Sequence, residues 1–429
     1  MADEQKSDEK KSLAARSVVP KLRLIEAFPV EVERSTRIYI RDPLNYATEP
    51  LLLPYATYFI ASHFDGQHSL LDIQEAFSRQ FGQVILRDQI QDIIGQLDAH
   101  YYLDSARFAA LQHEVLEAFH LSPVREMAHA DTCYSSQSEE CAAQLTGFFS
   151  GDEGPGAVSQ GAVKQSPVQG IIAPHIDLRV GGPCYAWAYK ELAEQCDADI
   201  FVLLGTSHYG LSHLFVTTEK DYDTPYGLVR TNREFIRGLR SGYSGDLFAD
   251  EALHRTEHSL EFQAVFLQHV LQHVSGGRRD FSVVPILVSS FHHMVQSKNP
   301  PIEDPHVASF IQALKETIAH SAQKVCLVAG VDFAHVGQKF GDQGELTPQF
   351  LDWVEAEDRV LIHALEQVDA AGFFQQIAKN NDRRRVCGFA PMYTFLETIG
   401  AAEGKLLKYD RSFDQQTQSS VSFASLVFY

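Results

Sequence analysis

No stretch of the 429-residue chain is apolar over enough residues to make a membrane-spanning helix. Basic residues are scarce: 36 Lys and Arg stand against 56 Asp and Glu, a formal net charge of −20. That balance argues against a general nucleic-acid or anionic-membrane surface, which needs clustered cations. Cysteine is sparse as well. Six cysteines, none spaced C-x-x-C, make no disulfide framework, so a reduced, cytoplasmic protein is expected. The amino terminus, MADEQKSDEKKSLAARS, lacks the apolar core of a secretory signal, and residues 1–20 are expected to form a disordered lead-in. Histidine, at 19 residues, is plentiful.

A chain of this length is expected to form two domains. In the first, residues 21–120, Val30–Ile40 alternates like strands and Pro50–Phe64 is apolar enough for a buried helix. Leu70–Phe81 and Arg87–Ala99 carry apolar residues at helical spacing, and Tyr101–Leu103 is placed to close the unit as a wing strand. The pattern predicts a small α+β domain of winged-helix type. Residues 1–130 hold 13 Lys and Arg against 19 Asp and Glu, so docking of a protein or peptide is favoured over DNA. DGQHSLLDIQEAFSRQFG and YYLD resemble the PqqD-like peptide-recognition modules. That resemblance implies a peptide held for a radical-SAM partner. A linking helix, Ser105–Phe119, leads to the second domain, residues 121–429, in which residues 151–165 read as a loose connector rich in Gly, Ser and Ala.

The second domain alternates strand and helix. Strands are predicted at Gly170–Ala173, Ile200–Leu204, His213–Thr218, Ser282–Val288, Lys324–Val331 and Ser420–Tyr429. Helices are predicted at Tyr185–Gln195, where Gly181, Gly182 and Pro183 reset the chain, and at Thr231–Leu239, His254–His273 and Val307–Ala319. Three more follow at Pro348–Gln367, Val368–Lys379 and Cys387–Thr398. Such spacing predicts an α/β domain with a largely parallel, covered sheet. In sheets of that kind, loops after the carboxyl ends of strands line the ligand crevice.

Those loops carry chemistry here. His175 follows the first strand and His208 the second, while Asp332 and His335 follow the strand ending at Val331. Cys387 opens a late helix, whose dipole, together with Arg383–Arg385, is expected to favour its thiolate. Imidazole, carboxylate and thiolate together suit zinc, iron or copper. A single histidine after a strand is more often a loop hydrogen-bonder, and a single buried cysteine is usually packing. The recurrence of histidine after three strands shifts the balance toward one shared site.

His254-Arg255-Thr256-Glu257-His258 spells H-x-x-E-H. On a continuous helix its two histidines would share a face, as in a zinc peptidase. A polar helix end explains the same letters, and Glu257, His258 and Glu261 are alternatively groups that orient a metal's ligands.

Taken in order, VREMAHADTCYSSQSEE, APHIDLRVGG, VLLGTSHYG, DTPYGLVRTN, HRTEHSLEFQAVFLQ, VVPILV, VAGVDFAHVG, VCGFAPMY and VSFASLVFY resemble the Memo family, the B component of the AmmeMemoRadiSam system. The matches run from about Ser122 to Tyr429. The resemblance implies a three-layer α/β/α fold like that of the LigB-like extradiol dioxygenases, a class of non-haem iron enzymes. It also implies a metal site of His175, His208 and Cys387, with His258, Asp332 and His335 at other crevice positions. The family's link to iron, copper and redox chemistry implies a transition-metal cofactor and leaves the reaction open. Two stretches depart from the pattern. Ile176-Asp177 stands where Ala-Gly is usual, and Asp131-Thr132-Cys133 where Gly-Ser-Phe is common. A carboxylate beside His175 is expected to alter metal preference or hydrogen bonding.

Three functions are therefore carried forward. The first is a metal-dependent redox or dioxygenase-like enzyme, with His258, Asp332 and His335 as acid–base or orienting groups. The second is a non-catalytic module that presents a peptide or protein, and the third is a zinc peptidase using H-x-x-E-H. Two histidines and a cysteine suit iron, copper and zinc alike.

Overall fold

The structure, a computed structural model, describes residues 18–33, 35–159, 167–210, 212–274 and 279–429. The chain divides into two compact units, Met1–Leu121 and Ser122–Tyr429. Residues 1–17 of the expected lead-in lie outside the described residues. Val18 and Val19 belong to the small unit: Val18 bridges Ser69, and Val19 is buried.

The small unit is α+β. Glu26–Val32 and Ser35–Arg41 form an antiparallel hairpin, and Leu51–Pro54 adds a third strand. Pro50–Phe64 was expected to be one helix; its first part is instead this strand, with Leu51 and Leu53 facing Ile40 and Ile38, and the helix covers only Tyr55–Ala61. Helices Leu70–Phe81 and Arg87–Ala99 match their periodicity. Ser69 and Asp72 form a capping box on the first, and Gly82 ends it in a left-handed turn. Leu103–Asp104 pairs with Lys21–Leu22, and helix Ala106–Leu121 follows.

In the large unit, helix α1 (Ser138–Ser150) precedes strand β1 (Gly170–Ala173), helix α2 (Leu178–Gln195) and strand β2 (Ile200–Thr206). Then come β3 (Phe215–Thr217), α3 (Arg233–Gly242), α4 (His258–His269), β4 (Ser282–Val288), α5 (Pro305–His320) and β5 (Val325–Gly330). The chain continues through β6 (His335–Gly337), α6 (Pro348–Glu366), α7 (Ala370–Lys379), α8 (Phe389–Thr398), β7 (Gly404–Asp414) and β8 (Ser419–Phe428). The sheet runs β6-β8-β1-β5-β2-β4-β3, with β7 paired to β8.

The sheet is mixed rather than largely parallel. β1, β5, β2 and β4 pair in parallel, and their outer neighbours β8 and β3 pair with them antiparallel. A short turn joins β7 to β8 and forces them antiparallel, and β8 then docks beside β1. Residues of each central strand alternate between two cores. Ile171, Phe201, Leu203 and Val328 pack with α1, α2 and α4, whereas Ile172, Val202, Leu204 and Ala329 pack with α3 and α5 to α8. Sheet and helices thus make three layers.

Several boundaries differ from those the sequence predicts. Helix α2 begins seven residues before Tyr185, at Leu178, with Asp177 as its cap. Gly181 and Gly182 lie inside the helix, where a Cβ would come within 2.5 Å of Ile176 and 2.6 Å of Phe148; they permit close packing rather than a break. Of residues 151–165, 160–165 lie outside the described residues. The first nine are pinned: the Trp187 indole donates to Glu153 O, Lys190 donates to Pro155 O, and Glu194 accepts from Ser159 N–H.

Candidate metal centre

Adjacent parallel strands explain why distant residues meet. β1, β5 and β2 are neighbours, so Pro174-His175, Val331-Asp332 and Ser207-His208 leave the same end of the sheet side by side. Cys387 reaches them from the segment before α8, where Gly388 N–H donates to Asp332 O at 3.1 Å.

The ligand atoms of His175, His208 and Cys387 lie within 4.8 Å of one another. Cys387 Sγ is 3.3 Å from His175 Nε2. Metal–sulfur and metal–nitrogen bonds of ordinary length at a tetrahedral angle place sulfur and nitrogen about 3.6 Å apart, so this pair fits a shared ion. Each imidazole is held by its other nitrogen. His175 Nδ1 donates to Gly330 O at 3.0 Å, and His208 Nδ1 donates to Glu257 Oε1 at 3.0 Å. Such bonds fix the tautomer and leave each Nε2 lone pair for a ligand.

Glu257 is a hub. Its carboxylate also accepts from the N–H groups of His208 and Ser259, at 3.1 and 3.0 Å, and lies 3.3 Å from His258 Nδ1. Burial favours its neutral form, yet the His208 and His258 rings and these donors hold the carboxyl well below the usual range. His208, Glu257 and His258 are also close enough to chelate. The His208–Glu257 hydrogen bond and the pairing of His258 with adjacent Glu257 account for that proximity.

The remaining predicted residues surround this core. Asp332 Oδ1 accepts the His175 N–H at 3.0 Å, and burial raises its carboxyl pKa to about 6. The His258 ring stacks 4.6 Å from that of His208, and burial, then His208, pushes its pKa well below the ordinary value. His335 Nδ1 donates to Phe333 O, and burial lowers its pKa to about 4. His208, His335 and Cys387 line one cavity of about 370 Å³, with Phe291, Phe340 and Phe389 as apolar walls. A cavity of about 560 Å³ between α3 and α5 contains none of these groups.

Two expectations about individual residues are corrected. Cys387 lies two residues ahead of α8, while Arg384 is spent on Asp358 and Arg385 on Asp342. Burial, then the Asp332 carboxylate, pushes the Cys387 thiol well above the ordinary range, opposite to the expected direction. Nor is H-x-x-E-H one helix: Glu251–Arg255 is a 3-10 turn, Glu257 caps α4, and α4 starts only at His258. The predicted helix His254–His273 is interrupted because the Glu257 side chain caps instead of continuing the spiral. His254 points elsewhere, with Nδ1 near Tyr222 Oη and Nε2 near Val216 O, at 3.1 and 3.2 Å. The peptidase geometry is absent.

His254 carries its own consequence. Burial holds its pKa at about 3, below its unfolded value, so the unfolded chain binds a proton that the fold refuses. Its contribution is fully present above about pH 6.5 and is expected to fade by about 1.4 kcal/mol per pH unit as pH falls toward 3. Urea midpoints measured from pH 7.5 to 5 for wild type and His254→Gln check this. The variant should lose about one proton from the slope, and an identical slope would remove His254 as a source.

Glu261, a candidate for orienting metal ligands, instead anchors a framework of its own. Arg125, Tyr134 and the N–H groups of Ala128 and His129 all donate to Glu261, fully buried on α4. They strap Arg125–Tyr134 across α4 and set the His129 ring 5.7 Å from His258. These residues belong to the VREMAHADTCYSSQSEE stretch, but only the fold pairs them with Glu261. The two departures from the family pattern also meet: Cys133 donates to Asp177 at 3.4 Å. Asp177 also caps α2 and pairs with Arg179, so its carboxylate is committed to the helix start.

The model for Memo-like protein matches residues 125–427, most of the chain. The chain belongs to the Memo-like family. A MEMO1 family protein of Aquifex aeolicus is 30% identical over 420 residues, which is 96% of this chain and all of the relative. MEMO1 family proteins of Methanopyrus kandleri and Thermococcus kodakarensis are each 28% identical, over 71% of this chain and 98% and 99% of their own lengths. The Memo-like match falls within the large unit, which holds the whole centre, and the two archaeal relatives are about as long as that unit. Among the described residues, no helix is long and apolar enough to cross a membrane.

Proposed function

We propose that this Memo-like chain binds one transition-metal ion, iron or copper with zinc admissible, and performs non-haem redox or dioxygenase-like chemistry. The observation that carries the reading is the meeting of His175, His208 and Cys387, with both imidazoles anchored through their far nitrogens. Two nitrogens and one thiolate leave positions for substrate or dioxygen, and a bound metal would supply electron transfer or polarisation there. The Cys387 thiol must give up its proton to serve as a ligand. Glu257 holds His208 and His258 in place. Asp332 and His335, one beside His175 and one on the cavity wall, are the groups placed to accept or return a proton near a substrate. The phenylalanine walls favour an apolar substrate body and limit water.

The free state of all six cysteines supports a reducing, cytoplasmic setting. Anaerobically purified protein is expected to retain close to one transition-metal ion per chain by elemental analysis. No metal, both as purified and after incubation with ferrous, cuprous or zinc ions, would sink the reading.

A second role concerns the small unit. The Aquifex aeolicus relative spans nearly the whole chain, whereas the archaeal relatives match a share close to that of the large unit alone. That pattern supports a separate docking task, the recognition of a peptide or a radical-SAM partner, which on its own would make the chain an accessory module. Capture of a radical-SAM enzyme by the full chain, but not by Ser122–Tyr429, is the expected outcome. Equal capture by both would remove docking from the small unit.

A further inference from the structure

The segment that delivers Cys387 has an unusual backbone. Between α7 and α8, Asn381, Asp382 and Arg385 hold φ of 54°, 50° and 52°. Non-glycine residues adopt this left-handed conformation infrequently, and arginine does so less readily than Asn or Asp. Part of the restraint is a buried charge pair that touches none of the proposed ligands. The Arg384 guanidinium donates to Asp358 on α6, and the two residues are 1% and 0% exposed. The other Asp358 oxygen accepts from Tyr409 Oη at 3.0 Å and Ser422 Oγ at 2.5 Å.

The same chain of bonds reaches the neighbouring Asp332–His335 turn. Ser422 Oγ accepts the Ala334 N–H at 2.9 Å, and its main chain pairs with Phe333 and Ala334. Arg384 O accepts the His335 N–H at 2.7 Å. One carboxylate thereby ties the Asp332–His335 turn to the Cys387 segment. A buried ion pair is a poor source of stability compared with apolar packing, because both charges lose their water. Its use here is geometric.

We propose that Asp358 and Arg384 are positioning residues for Cys387: they hold its sulfur at the distance from His175 that a shared metal requires. The proposal rests on the metal-binding reading above. In it, affinity for the ion depends on a carboxylate that never contacts the ion, as with other groups that orient metal ligands from behind.

Cobalt(II) titration of the full chain tests this, because a bound thiolate gives a sulfur-to-cobalt charge-transfer band that histidine ligands do not. Wild type is expected to show the band and Cys387→Ser to lose it. Asp358→Asn keeps the shape and an acceptor for Arg384 but removes the charge. It is expected to weaken cobalt binding about 10- to 100-fold and to diminish the band, at temperatures where circular dichroism shows the variant folded. Should the unpaired arginine prevent folding, Asp358→Asn with Arg384→Met removes both charges, and the same losses are expected. Unchanged affinity and band in a folded variant would overturn the positioning role while leaving the metal site standing. Absence of the band in wild type, or its survival in Cys387→Ser, would overturn the metal reading and this proposal with it.

Discussion

His175→Ala and Cys387→Ala are each expected to strip the centre of its metal under ordinary purification, while His254→Ala leaves the metal in place. Four-ligand structural zinc sites bind their ion with about 10–16 kcal/mol, so on that scale one ligand is worth roughly 3–4 kcal/mol, or about 10²- to 10³-fold in affinity. Neither position has a substitute. His175 is 1% exposed and anchored by Gly330 O, and the neighbouring His258, whose ring lies 5.3 Å away, is already paired with Glu257. Cys387 supplies the sole sulfur among the candidate ligand groups of the described residues. Elemental analysis beside a competitive chelator titration provides the measurement. Metal retained at the wild-type level in both variants would move the site elsewhere, and metal lost only with His254→Ala would revive H-x-x-E-H.

Glu261→Ala is expected to destabilise the fold by about 3–5 kcal/mol, because it leaves Arg125 as an uncompensated buried charge. Arg125 and Glu261 are both 0% exposed. The substitution also orphans the Ala128 and His129 N–H groups and the Tyr134 hydroxyl, all of which point at that carboxylate. Burial opposes the charge on Glu261, but Arg125 and its other partners keep the carboxyl below its usual pKa. Urea unfolding of Glu261→Ala, beside Arg125→Met with Glu261→Leu, separates the lost pair from the stranded charge. The double variant should recover part of the loss, since apolar residues of similar volume replace such pairs at little cost. A single variant within about 1 kcal/mol of wild type would show that the strap is not held by this bond.

Most of the large unit's elements are legible in the sequence because strands buried on both faces read as unbroken apolar runs. Ile200–Thr206 and Ser282–Val288 are of this kind. Boundaries set by side-chain caps are less legible. Asp177 starts α2 early and Glu257 starts α4 late, since whether a carboxylate caps a helix depends on which donors the fold brings to it. Leu51–Pro54 is not legible as a strand because a short apolar run has no period of its own, and pairing with Arg37–Ile40 decides for strand.

Sequence alone determined which residue types stand after which strands, so that parallel strands would bring His175, His208 and Asp332 to one end of the sheet. It also carried the family, through ordered motifs spread along the large unit. Residue spacing by itself does not bring Cys387 to the two histidines; the family resemblance implies that meeting, and the tertiary structure makes it. Only the structure decided that His254 stays apart and that Glu257, Glu261 and Asp358 are buried hubs. The physical reason is that a ligand set and a buried carboxylate are defined by distances of a few ångströms between residues as much as 212 positions apart. Strand order and helix caps fix those distances, and neither is written in the spacing of the residues themselves.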